Sequence, residues 1–155
     1  MIRFVLFLSA ASLFAADLPP KVIRGGKVEE ILWLRLDKGD LMLESIREFA
    51  RENNVRDGAV LTAVGGIEEC RFHGVNGTMT EVKEAVELLN LNGLIADSEP
   101  HLHVVVSNKA KGAFGGHLED GCKVLSQVEI TLARFAGPPI TRKPAPGGTK
   151  ALRRK

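Results

Sequence analysis

Apolar and polar residues alternate over most of this chain with a period near two, the signature of half-buried strands. Lys27 to Leu36, with Val28, Ile31, Trp33 and Arg35 among its members, reads as a strand that Gly39-Asp40 ends. Asp40 fits the N-cap of a helix running to about Asn54, because Leu43, Ile46, Phe49 and Ala50 fall on one face and Glu44, Arg47, Glu48 and Arg51 fall elsewhere. Ala59 to Val64 is a buried-type strand that meets Gly65-Gly66, where the chain can bulge before continuing through Ile67 to Phe72. Val82 to Ile95 reads as a strand pair or bent strand broken near Asn92-Gly93. His101 to Ser107 is a strand, Asn108 to Gly116 a turn-rich loop, and Lys123 to Phe135 a last long strand.

One amphipathic helix against many strands predicts an α+β fold, with a mainly antiparallel sheet. A single helix cannot cover both faces of so long a sheet. The sheet is therefore expected to curl, and the chain to bury its remaining edges in a homo-oligomer.

With 155 residues, 45% hydrophobic and 26% charged, the chain has the size and composition of one globular domain. No Tyr and one Trp leave little for the aromatic base-stacking that single-strand nucleic-acid binders use. The net charge of +2 conceals an asymmetry, since all 19 acids lie between Asp17 and Glu129. Six of the 21 basic residues crowd positions 142–155 and one is Arg3, which leaves 14 basic against 19 acidic groups in the body. A body near −5 repels phosphate. The segment 137–155, rich in Pro, Gly and basic residues, is expected to be a disordered, solvated tail following a folded domain over 26–136.

Met1-Ile2-Arg3, the apolar run Phe4 to Phe14 and the small pair Ala15-Ala16 have the layout of a secretory signal peptide, assigned to residues 1–15. The run falls short of the roughly 20 residues a membrane span needs, so no stable anchor is expected and the mature protein is placed in the periplasm or outside the cell. Cys70 and Cys122 are the only cysteines. Export permits a disulfide between them, and two separately buried thiols fit the sequence equally well.

Candidate chemistry concentrates in Glu99-Pro100-His101-Leu102-His103 and Phe114-Gly115-Gly116-His117-Leu118. In a strand, residues two apart share a face, so His101 and His103 present two imidazoles about 7 Å apart along the backbone. A return through Gly115-Gly116 brings His117 antiparallel to that pair. Three neutral imidazoles with an open position are the donor set of catalytic zinc, which acts as a Lewis acid. The same rings on a half-exposed face would also be satisfied by water and carbonyls. Glu129, opposite in direction to Val128 and Ile130, is a candidate fourth ligand, imidazole partner or catalytic acid/base, or equally a surface carboxylate. His73 stands alone in Arg71-Phe72-His73-Gly74 and reads as a non-ligand.

Leu43-Glu44-Ser45-Ile46-Arg47-Glu48-Phe49-Ala50, Ala63-Val64-Gly65-Gly66-Ile67, Glu87-Leu88-Leu89-Asn90-Leu91-Asn92-Gly93 and the His101-to-Leu118 stretch together resemble the PPC domain of plants and prokaryotes, over Gly26 to Phe135. The resemblance implies an α+β fold and a homotrimer. That fold is similar to acetolactate decarboxylase, a zinc enzyme with a three-histidine site, which implies a ligand role for His101, His103 and His117. Plant relatives join the domain to AT-hooks and lack the histidine pair. This chain has no Arg-Gly-Arg-Pro hook, so nucleic acid is an unlikely partner. The expectation is an exported homotrimer binding a divalent metal, most simply zinc, with an unidentified small molecule as substrate of a lyase or hydrolase. A non-enzymatic oligomerisation module and a DNA-binding protein are the alternatives.

Overall fold

The computed structural model describes residues 26–155; the leader expected at 1–15 lies outside the described residues. The elements run β1 (Lys27–Asp37), α1 (Met42–Glu52), β2 (Asp57–His73), β3 (Met79–Val82), β4 (Val86–Ala96), β5 (Glu99–Asn108), β6 (Gly112–Leu118), β7 (Lys123–Ala136), β8 (Ile140–Pro144) and β9 (Lys150–Arg154). All strand pairings are antiparallel. The main sheet has the order β1-β7-β2-β4-β5-β6, with β3 beside β2. A further pairing of β2 with β6 curls the sheet until β2, β4, β5 and β6 close on one another. This is the α+β architecture that the patterning predicts, one helix against a curled antiparallel sheet.

Strand β2 makes the closure possible because it is 17 residues long and changes partners along its length. Its first part lies between β4 and β7, and its last residues reach β3 and β6. Register shifts around Gly65 and Ile67 mark the bend expected at Gly65-Gly66. Met42, Leu43, Ile46 and Ala50 of α1 are buried in one apolar cluster with Ile67, Leu91, Ile95, Leu102, Val104, Val128 and Leu132 from the strands. The alternate residues of those strands face away from the helix, and the histidines are among them.

Several local expectations change. Leu41, with no side-chain bond, is the N-cap of α1. The helix start is instead tied by the Met42 N–H donating to the Cys122 carbonyl at 2.8 Å, while Asp40 accepts the Asp37 N–H at 2.8 Å and closes the turn after β1. Gly93 does not break β4. It has φ +146°, and a Cβ there would stand 2.1 Å from the His101 carbonyl oxygen, so glycine lets β4 and β5 approach. The loop expected over 108–116 shrinks to a turn, since β6 already begins at Gly112 and Asn108 pairs with Gly112.

The segment expected to be a solvated tail forms the β8–β9 hairpin, turning at Ala145 to Thr149. The Pro and Gly content concealed a short apolar set that has somewhere to go. Ile140 and Leu152 share a cavity with Leu94 and Phe135, the Ile140 N–H donates to Asp57 at 3.4 Å, and Lys155 reaches Asp97 at 2.8 Å. Cys70 and Cys122, left open by the sequence, are joined in a buried disulfide that ties β2 to the residue preceding β7.

Candidate metal centre

The closure of the sheet builds a row of histidines. Asn92 of β4 lies opposite His103 of β5, His103 opposite His117 of β6, and His117 opposite His73 of β2. His101 stands two residues from His103 on the same face, opposite Leu94. Ring centroids of His101, His103 and His117 are separated by 5.6 Å, 4.8 Å and 5.4 Å, with His103 edge-on to the other two. One nitrogen from each of the three lies within 4.8 Å of the others. Nitrogens of that spread can be drawn to a common point about 2.1 Å from each by small rotations of the rings.

Two glycines hold the row together. A Cβ on Gly115 would stand 1.9 Å from the Val104 carbonyl oxygen, and one on Gly116 would stand 2.4 Å from that of His73. The Gly115-Gly116 pair therefore allows β6 to approach β5 on one side and β2 on the other.

Burial sets His101 and His117 toward the neutral form. His101 is half-buried, and burial first, then the charge of Arg142, pushes its pKa from 6.5 down to about 4. His117 is lowered in the same direction, again by burial first and then by His73. A neutral imidazole keeps a free lone pair, the state that a metal ligand requires.

His73 departs from the sequence reading. Far from standing alone, its ring centroid is 4.6 Å from that of His117, and its Nδ1 is 2.7 Å from Glu119 Oε1. His73, His117 and Glu119 form a second convergent group, sharing His117 with the first. A histidine held by a carboxylate through one ring nitrogen, with the other turned toward a neighbour, is the usual arrangement beside a metal. Nothing local in the sequence marks it. The signal is the long-range pairing of β2 with β6, which a strand-by-strand reading does not contain.

Glu129 is not brought to the histidines. It lies in the cross-strand row Arg35–Glu129–Val64 and lines a surface cavity with Trp33, Thr62 and Thr131. The carboxylate beside the imidazoles is Glu119. Arg142 is also new: it pairs with Leu152 across the hairpin, and its half-buried guanidinium depresses the pKa of both His101 and His117.

Residues 23–136 match the family profile described as the Plants and Prokaryotes Conserved (PCC) domain. Two bifunctional GlmU proteins from Synechococcus strains are 32% and 31% identical over 114 residues, 73% of this chain. The chain spans only 18% of the length of those relatives. A metal-containing protein from Archaeoglobus fulgidus superposes with a TM-score of 0.74 at 24% identity, covering 86% of this chain and 99% of that one. A plant- and prokaryote-conserved protein from Pyrococcus horikoshii gives 0.73 at 23% identity, covering 87% and 99%. A protein from Bacteroides thetaiotaomicron described as a candidate DNA-binding protein gives 0.70 at 19% identity, covering 84% and 96%.

Proposed function

The chain belongs to the Plants and Prokaryotes Conserved domain family, and from that premise we propose that it is an exported, homotrimeric protein holding one divalent cation, zinc by the chemistry of its donors, through His101, His103 and His117. The observation that carries this reading is the convergence of three imidazoles, two of which, His101 and His117, burial holds toward the neutral form. The metal-containing archaeal relative of the same fold is in keeping with it. Three nitrogen donors leave a coordination position for a small molecule, and a divalent ion there would supply Lewis acidity. In a lyase or hydrolase built on this centre, Glu119 is the carboxylate in position to accept or return a proton, through its bond to His73.

Export is supported by the buried disulfide, a bond that persists in oxidising compartments. The trimer is supported by the sheet face turned from the helix, where Trp33 is 79% exposed and Val64 51%.

The test is metal content. Untagged protein expressed with its own leader should yield a mature chain lacking the first 15 residues, sediment as a trimer and carry about one zinc per chain. His103→Ala with His117→Ala should abolish the zinc, whereas Glu119→Gln should leave it if the His101 group is the one occupied. Protein that emerges without metal, and whose melting temperature ignores chelators, defeats the metal reading.

DNA association is a second reading, favoured by the exposed basic residues Lys143, Lys150 and Lys155 at the ends of the hairpin and by the description of the Bacteroides neighbour. It requires salt-sensitive binding that disappears when residues 137–155 are removed. Removal of the hairpin without loss of binding rejects it.

A further inference from the structure

We propose that Arg142 is an anion clamp at the rim of the histidine centre, so that the small molecule taken there has an anionic oxygen head, a carboxylate or a phosphate. This rests on the metal reading above and adds the class of ligand to it.

The hairpin is what carries the guanidinium to the site. Arg142 and Ile140, two residues apart, share one face of β8, and Leu152 lies opposite Arg142 on β9. Ile140 and Leu152 pack into the cavity that Leu94 lines, and Leu94 is the β4 residue directly opposite His101. The face bearing Arg142 is thus seated on the same side of the sheet as the histidines.

The state of Arg142 asks for a partner. Burial lowers its own pKa, so the guanidinium is partly stripped of water. Arg35, Arg47, Arg51, Arg56, Arg71 and Arg134 all have carboxylates within 4.0 Å. Arg142, like Arg153 and Arg154 of the same hairpin, has none among the described residues; it differs from them in being partly stripped of water, and the side-chain bond it makes is from Nη2 to the Lys150 carbonyl at 3.1 Å. A planar guanidinium offers five donors, and one carbonyl leaves most of them free for an oxyanion. Electrostatics point the same way. Neutral imidazoles do not cancel the charge of a divalent ion, and a guanidinium beside them adds to it. Glu119, the acid in this group, is engaged with His73. An anionic ligand relieves that excess, and a fork of parallel N–H bonds suits both carboxylate and phosphate.

Calorimetric titration of the zinc-loaded full chain tests the clamp, with sodium pyruvate and sodium phosphate as probes and acetone as the uncharged control. Pyruvate or phosphate should bind at least tenfold more tightly than acetone, and whichever of the two wins identifies the head group. Arg142→Gln should weaken that anion at least tenfold with zinc content unchanged, and Arg142→Lys should recover part of the loss. Equal binding by Arg142→Gln and the parent, both holding zinc, overturns the clamp and leaves the metal reading standing. Absence of zinc from the parent brings down both. Should Arg142→Gln release the hairpin, Arg142→Met, which keeps the aliphatic stem that packs in the hairpin, is read in its place, and undiminished anion binding by that zinc-loaded variant overturns the proposal.

Discussion

Breaking the Cys70–Cys122 bond perturbs the fold without touching the histidines, and its cost follows from chain separation. The two cysteines are 52 residues apart in sequence. Closing a loop of that length removes about 14 cal/mol/K from the unfolded chain, which corresponds to about 4 kcal/mol at 25 °C. For a domain of this size each kcal/mol moves the melting temperature by about 2–4 °C, so the reduced protein should melt about 8–16 °C lower. Cys70→Ala with Cys122→Ala adds a loss of packing, because both side chains are buried in the core. The cleaner comparison is therefore the parent chain, reduced under denaturant, refolded in reductant and melted beside the oxidised form by circular dichroism. Thiol titration before and after the melt confirms the state of each sample. Oxidised and reduced forms that melt within about 2 °C of one another would refute the reasoning, since the loop entropy would then have no effect.

Three further outcomes follow from packing and charge. Gly116→Ala drives a Cβ to 2.4 Å from the His73 carbonyl oxygen, so β6 must part from β2; we expect a loss of about 1–3 kcal/mol in urea unfolding, and a zinc content reduced before strand content falls. Leu102→Ala, on the core face between the two β5 histidines, should cost about 2–5 kcal/mol and leave zinc stoichiometry intact, so equal losses of metal in the two variants would contradict the separation of faces. His101 and His117 both have lowered pKa values in the folded chain, so the unfolded chain binds more protons below pH 6.5. Stability of the metal-free protein should therefore be level above pH 6.5 and fall as acid is added toward pH 4, with His101→Gln flattening the slope; a slope of the opposite sign excludes the buried, neutral imidazole.

The sequence carried the fold class because alternation and the three-and-four spacing of α1 are local properties. Leu43, Ile46 and Ala50 announce their face within a few residues, and so do His101 and His103. The meeting of His117 with His103 was also legible, because a hairpin joins them and Gly115-Gly116 permits the approach. His73 and Glu119 were not legible, since their meeting depends on β2 being long enough to leave β4 and reach β6. Glu129 is a candidate for the centre on its outward direction alone, and equally a surface carboxylate. Direction fixes a face and says nothing of distance across the sheet, and Glu129 lies beside Arg35 and Val64 while the imidazoles meet across β5, β6 and β2. The hairpin was missed because Pro144, Pro146, Gly147 and Gly148 dominate the composition of that segment, while the contacts that order it, with Leu94, Asp57 and Asp97, are remote in sequence.

The division of labour between the two faces of the sheet bears on what the centre is for. The core cluster, the buried face of the helix and the disulfide lie on the inner side, and no histidine is a member of that cluster. An ion bound outside that core would stabilise the folded chain by mass action alone, by about 2.7 kcal/mol at a hundred times its dissociation constant. A chelator should then lower the melting temperature by several degrees and leave the strands intact, unlike the collapse seen when a structural zinc is stripped from a small domain. A centre of that kind, with Arg142 free of any carboxylate among the described residues, would suit exchange of ligands rather than support of the fold. Loss of secondary structure on chelation would contradict this division, because the outer row of imidazoles would then be holding the sheet closed.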